Sequence, residues 1–351
     1  MSANASPTAT PDLDNLGFGR VFTPHMVTAT WTPGGGWTEL EMLDRGALQI
    51  DPAATVLHYG QSIFEGLKGY RQPDGSVAVF RPDANAARFQ RSARRLALPE
   101  LPEAEFVRSI DMLVEQDLAW VPSGGERSLY LRPFMFGTES FLGVRASQEV
   151  RFLLIASPVD SYFQGGLHAV ALWLAEDYVR AAPGGTGAAK CAGNYAASLV
   201  AQQEAVAHGC EQVLFLDAVE HRWLEELGGM NLFLVGADGT LITPELSGTI
   251  LEGITRDSII TLARERGRKV EERRVSFQEW HDGVESGAIA EAFACGTAAV
   301  ITPIGRVRWS GGEVVMGGGD SIGPAVRELR QALLDIQFGY VPDTHGWMHR
   351  A

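Results

Sequence analysis

Apolar and polar residues alternate with period two in Met26-Val27-Thr28-Ala29-Thr30-Trp31, and between positions 17 and 50 such runs are separated by Gly, Pro and Asp. This pattern predicts short antiparallel strands, with Pro33-Gly34-Gly35-Gly36 as a turn. The stretch from His58 to Tyr70 is aromatic, glycine-rich and sparing in charge, and it reads equally as a strand-to-helix corner or as the apolar wall of a small-molecule pocket. A strand over 76–80 leads through Arg81-Pro82-Asp83 into a helix over 84–96, where Phe89, Ala93 and Leu96 share a face at helical spacing. Arg88, Arg91, Arg94 and Arg95 crowd that helix; most belong on a solvated face, and one can turn inward to hold an anion. A second amphipathic helix is predicted over 103–118, and strands over 128–136 and 150–157. In the first of these strands, alternation puts Tyr130 and Arg132 on one face and Leu129 and Leu131 on the other.

The second half begins with an alternating strand over 168–175. It continues with a helix over 194–208, a buried strand over 212–217 and two strand segments over 223–235 broken at Gly228-Gly229. From 248 to 267 a loop runs into a helix, with Gly253 permitting the turn and Thr255 or Asp257 as cap. A small-residue turn, Cys295-Gly296-Thr297-Ala298-Ala299, and a helix over 323–338 follow, before a glycine-broken tail. The mixture predicts an α/β (α+β) fold of two domains: a small N-terminal α/β domain over 1–158 whose first 15 residues form a loose tail, a linker over 159–167, and a larger domain over 168–351.

Composition narrows the classes. The 351 residues are 45% hydrophobic and 21% charged with a formal net charge of −14, which argues against nucleic acid or an anionic membrane as partner. Three cysteines without CxxC spacing suggest neither a disulfide framework nor a zinc ribbon, and a reducing cytoplasm is the simplest location. No apolar run approaches the roughly 20 residues of a membrane span, and the N-terminal stretch lacks the basic start and apolar core of a signal peptide. The histidines form no HExxH, and His345 and His349 lie in the tail, so no metal site is predicted.

The most informative stretch is Gly184-Gly185-Thr186-Gly187-Ala188-Ala189-Lys190-Cys191-Ala192-Gly193-Asn194-Tyr195. It sets one lysine among small residues, where a planar ligand can come close to the backbone. Desolvation disfavours an ammonium, and only a neutral amine attacks a carbonyl, so Lys190 is the candidate Schiff-base lysine. A P-loop is excluded because Ala189 and Cys191 stand where that motif needs Gly and Ser or Thr. With Lys190 go the carboxylates Glu225-Glu226 at a strand end, two phosphate-type turns, and a Tyr130/Arg132 carboxylate clamp. Pyridoxal phosphate chemistry asks for a lysine, an acid on the pyridine nitrogen, a phosphate cup and a carboxylate orienter.

His58-Tyr59-Gly60 through Phe64-Glu65-Gly66, Leu129-Tyr130-Leu131-Arg132-Pro133, the Lys190 stretch, Glu226-Leu227-Gly228-Gly229-Met230-Asn231, Gly253-Ile254-Thr255-Arg256-Asp257 and Gly296-Thr297-Ala298-Ala299 occur in this order. Together they resemble the motifs of branched-chain amino acid aminotransferases, which are fold-type IV pyridoxal-phosphate enzymes. The resemblance runs from about Gly17 to the last helix. It implies that Lys190 bonds the pyridoxal 5'-phosphate and shuttles the proton, that Glu226 faces the pyridine nitrogen, and that Tyr195 bonds the ring's 3-oxygen. Arg88, Ile254, Thr255 and Thr297 would hold the phosphate. Tyr130, Arg132 and Ala298 match carboxylate-side residues, and Phe18, Tyr59, Phe64 and Tyr162 match the aromatic walls of an aliphatic pocket. Leu142 and Val144 match residues that reach into a neighbouring subunit, which implies a homodimer with its active site between the domains of each chain.

The implied reaction moves an amino group between L-leucine, L-isoleucine or L-valine and 2-oxoglutarate, giving glutamate, in two ping-pong half-reactions. A D-amino acid transaminase or aminodeoxychorismate lyase of the same fold would share Lys190 and Glu226, and a non-catalytic pyridoxal-phosphate protein would have no use for the clamp. Where mammalian members carry a CxxC pair after the threonine turn, this chain has Ala299 and Thr302, so thiol regulation is not expected there.

Overall fold

The computed structural model describes residue 13 and residues 16–160 and 166–351. The chain divides into two compact units. The first comprises residues 1–164, 189–192 and 335–351, and the second 165–188 and 193–334.

The first unit is built on an antiparallel sheet whose strands run in the order Met348–Arg350, Val77–Phe80, Leu67–Arg71, Ser128–Gly137, Val150–Val159, His25–Thr32 and Gly36–Trp37. Its helices Pro82–Arg95 and Glu103–Gln116 bury Phe89 and Ala93, and Phe106, Ile110 and Leu113, spacings that keep each set on one helical face. Phe89 packs edge-on against Phe152 of the sheet at 6.0 Å and lies 5.3 Å from Phe106. Full burial of each such side chain contributes about 1.5–3 kcal/mol. Arg88 is buried, whereas Arg91, Arg94 and Arg95 are exposed, so one arginine of the four turns inward.

Three details differ from the expectations. The stretch around His58 runs helix first and strand second: Thr55–Tyr59 ends at Gly60, whose left-handed backbone (φ 60°) stops the helix, and Ser62–Phe64 follows as a strand. The strand Val150–Val159 continues beyond Ser157, pairing Pro158 with Leu129 and Val159 with Ser128. The tail is an edge strand, Met348 pairing with Phe80 and Arg350 with Ala78, while the Arg81 amide donates to the Trp347 carbonyl at 2.6 Å.

In the second unit six strands close into a ring. Val170–Leu174 lies parallel between Gln212–Leu216 and Val300–Trp309; beyond these come Leu224–Leu227 on one side and Ile289–Gly296 then Asn231–Gly236 on the other, and the pair Glu226/Asn231 joins the two ends. The Ile254–Glu265 helix starts at Gly253 with no side-chain cap, so neither Thr255 nor Asp257 caps it; both lie within its first turns. Gly253 has a packing reason, since a Cβ there would sit 1.9 Å from Asn231 Oδ1.

Candidate active site

Each unit carries part of the candidate set. In the first, residues 189–192 are held as if they belonged to the sheet: the Phe64 amide donates to the Lys190 carbonyl at 3.0 Å, the Lys190 amide donates to Ser92 Oγ at 2.9 Å, and Cys191 bridges Ile63. Cys191 is buried in the first unit's core and Lys190 is half-buried. The lysine backbone is thus fixed on both sides of its α-carbon, and the side chain projects from that anchor. Lys190 Nζ lies 5.0 Å from the centre of the Phe64 ring, and Arg132 Cζ lies 4.7 Å from the same centre.

Arg132 Nη2 also donates to Tyr130 Oη at 2.9 Å, and Phe18 stands edge-on to Tyr130 at 4.9 Å. The strand period that put Tyr130 and Arg132 on one face is therefore realised as a contact. Gly66 is required here, because a Cβ would fall 2.1 Å from Tyr130 Oη. Arg88 meets Glu65 in a fork, Nε donating to Oε1 and Nη2 to Oε2, both at 2.7 Å, with Glu65 fully buried. Tyr59 forms a separate group, its hydroxyl donating to the Leu142 carbonyl; Leu142 and Val144 are exposed, 63% and 87%. Tyr162 lies outside the described residues.

In the second unit Glu226, 1% exposed, receives two donors on the same oxygen: Arg180 Nη1 at 2.9 Å and the Leu251 amide at 2.7 Å. Asn231 Nδ2 donates to the Leu251 carbonyl at 3.0 Å, which holds that segment in place. Strand alternation sends the adjacent Glu225 to the opposite face, where the Thr249 hydroxyl donates to it. Burial pushes the Glu225 carboxyl up, against the opposing pull of Thr249 and Arg180. Ile254 and Thr255 form the buried first turn of their helix, whose amides point along the positive end of its dipole. Thr297 and Ala298 sit half-buried in the hairpin turn closed by the Gly296/Val300 pair. Tyr195 is half-buried on the Ala192–Ala207 helix beside Gly229.

The small residues before the lysine have a reason that the sequence does not reveal. A Cβ on Gly187 would come 2.2 Å from the Thr249 carbonyl oxygen, so Gly187 is small because backbone passes against it. Thr186 and Asn194 close the loop, Thr186 Oγ1 donating to Asn194 Oδ1 at 2.6 Å and Asn194 Nδ2 donating back to the Thr186 carbonyl at 2.8 Å. No pattern in the sequence singles out Glu65, Ser92 or Arg180. Arg180 lies in a plain Arg-Ala-Ala-Pro run, and nothing local announces its contact with Glu226. Among the described residues no cluster of His, Cys, Asp or Glu could hold a metal ion, and no helix is long and apolar enough to cross a membrane.

The family model described as Amino-transferase class IV matches residues 62–307, well over half of the chain. A probable branched-chain-amino-acid aminotransferase of Streptomyces coelicolor is 57% identical over 338 residues, covering 96% of this chain and 93% of that one. The branched-chain-amino-acid aminotransferase of Mycolicibacterium smegmatis is 54% identical over 358 residues, covering 100% and 97%. Among solved structures, the Escherichia coli branched-chain amino acid aminotransferase superposes with a TM-score of 0.76 at 29% identity over 92% of this chain and 98% of that one. The holo form of the Thermobaculum terrenum enzyme, with pyridoxal phosphate, gives 0.74 at 25% identity over 92% and 97%. The chain belongs to the class IV aminotransferases, which depend on pyridoxal 5'-phosphate, and within them to the branched-chain-amino-acid aminotransferase family.

Proposed function

We propose that this chain moves the amino group between L-leucine, L-isoleucine or L-valine and 2-oxoglutarate, in two half-reactions on one pyridoxal 5'-phosphate, as a cytoplasmic homodimer. The observation that carries the reading is the shared position of Lys190 Nζ and the Arg132 guanidinium over one Phe64 ring. An amine able to bond a carbonyl and a cation able to hold a carboxylate are then set beside one apolar surface.

The residues of both units fit the cofactor chemically. Glu226 is a buried carboxylate already supplied with a cation and an amide donor, suited to face a protonated pyridine nitrogen. Arg88 offers a buried guanidinium for phosphate, with the Ile254 and Thr255 amides and the Thr297 hydroxyl as further donors. The bound cofactor supplies an electron sink for charge developing at the substrate's α-carbon. In this reading Lys190 would hold the cofactor through its amine and would carry the α-proton on Nζ. Tyr195 would donate to the ring's 3-oxygen. Tyr130, Arg132 and the Ala298 amide orient the substrate carboxylates, while Phe18, Tyr59, Phe64 and Tyr162 exclude water around the aliphatic side chain. The exposure of Leu142 and Val144 supports their placement against a second copy of the chain.

The test is spectroscopic and kinetic. The purified protein is expected to be yellow, to consume L-leucine with 2-oxoglutarate, and to ignore D-alanine; Lys190→Ala is expected to remove both the visible band and turnover. A colourless wild type that takes up no pyridoxal phosphate, or a preference for D-alanine, overturns the reading.

A further inference from the structure

We infer that Arg180 is a positioning residue that acts through Glu226, holding that buried carboxylate ionised and fixed in rotation before the cofactor arrives. The inference rests on the reading of Glu226 as the partner of the pyridine nitrogen. Its own support is geometric. Glu226 and Arg180 are each almost fully buried, 1% and 4% exposed, and meet at 2.9 Å. A carboxylate taken out of water reverts to its neutral acid unless a cation and hydrogen bonds replace the lost hydration. Arg180 supplies the cation, and the Leu251 amide supplies a hydrogen bond to the same Oε1.

Arg180 is itself anchored independently of Glu226. Nη1 donates to the Thr249 carbonyl at 2.8 Å, and Nη1 and Nη2 approach the Gly187 carbonyl at 3.4 Å. One guanidinium therefore ties together the loop before the lysine, the Thr249–Leu251 segment and the Glu226 strand. Other titratable and charged groups pack around the pair. Glu225 turns to the opposite face and bonds Thr249, while Arg180 also draws its carboxyl down; Cys295 on the adjacent strand is held neutral, because burial pushes its thiol well up; and Arg256 is engaged with Glu272 at 3.1 Å and the Pro244 carbonyl at 3.0 Å.

A neutral substitute removes the Arg180 charge from the buried carboxylate, so in Arg180→Met burial favours the neutral acid of Glu226. The penalty is then absent at low pH, where both states are protonated, and grows as pH rises. In the 351-residue chain without added cofactor, the melting temperature of Arg180→Met is expected to fall below wild type by roughly 4–7 °C at pH 8. The gap is expected to shrink by at least half at pH 5 and to lose most of its pH dependence in an Arg180→Met/Glu226→Gln double variant, Glu225 carrying the remainder. Pyridoxal phosphate, whose pyridine nitrogen can replace the missing cation, is expected to raise the melting temperature of Arg180→Met more than that of wild type. The 1-deaza analogue, which lacks that nitrogen, is expected to raise both equally.

Arg180→Lys keeps the charge and is expected to recover most of the pH 8 deficit, which a purely steric role would not allow. A deficit in Arg180→Met that is equal at pH 5 and pH 8 overturns the role of Arg180. If instead the pH dependence appears but pyridoxal phosphate and its 1-deaza analogue rescue alike, the coupling of Arg180 to Glu226 stands and the assignment of Glu226 to the pyridine nitrogen fails, taking the positioning role with it.

Discussion

Glu65 and Arg88 permit a quantitative test of what holds the candidate phosphate arginine in place. An exposed ion pair contributes about 0–1 kcal/mol, because water screens it and both side chains lose freedom. This pair is different: Glu65 is 0% and Arg88 4% exposed, and two parallel N–H···O bonds of 2.7 Å join them. Glu65→Gln keeps the shape and one carbonyl acceptor but removes the charge and points an amide donor at a guanidinium donor. Removing one partner of a buried pair costs about 3–5 kcal/mol, most of it the penalty of the charge left behind. The expected loss in a urea titration followed by tryptophan fluorescence is of that size. It should be nearly the same at low and high salt, since buried charges are little screened. Glu65→Leu/Arg88→Met, which removes both charges, is expected to be less destabilised than Glu65→Gln alone. A loss under about 1 kcal/mol for Glu65→Gln, or a double variant as unstable as the two singles summed, would refute the reasoning.

Two further expectations follow from single positions. Gly187→Ala puts a Cβ 2.2 Å from a backbone oxygen that cannot swing away, so it should cost about 1–3 kcal/mol by thermal melting, while Gly193→Ala, with no protein atom near its Cβ, should leave the melting temperature unchanged. Burial alone would raise the Asp217 carboxyl, but bonds accepted from the Glu220, Arg222, Trp223 and Val219 amides hold it down to about 2. A depressed folded-state value stabilises above the unfolded value of 3.8 and is lost as pH falls toward 2, so the advantage of wild type over Asp217→Asn, about 1–2 kcal/mol after allowance for solvent, should vanish on acidification over that range. Acid titration of both proteins checks it, and an advantage that persists at pH 2 would be inconsistent with it.

Elements whose signal is local are legible in the sequence. The alternation in 128–136 and the i, i+4 spacing of Phe89 and Ala93 depend only on neighbours along the chain, and the structure has a strand and a buried helix face there. The tail is not legible, because the pairing of Met348 with Phe80 joins residues far apart in sequence. The candidate lysine stands out as a residue type in a setting of small neighbours, but its anchorage to Ser92 and Phe64 does not, nor does the reason for Gly187, a passing carbonyl from Thr249. Arg180 illustrates the same limit: a buried ion pair is a property of two distant positions, and neither position betrays it alone. Glu65 lies inside the aromatic, glycine-rich stretch 58–70, yet nothing there distinguishes a partner for Arg88 from a polar interruption of an apolar wall.

The edge strand at the end of the chain has a consequence for the order in which the molecule can be made. A ribosome delivers residues 348–350 long after residues 77–80, yet they complete the same sheet, and residues 189–192 are also borrowed from later in the chain. Until residues 348–350 emerge, Val77–Phe80 offers an unpaired row of backbone groups to any neighbouring chain. The second unit needs nothing beyond residue 334, so it can finish first. The unit that holds residues 77–80 therefore closes after the second.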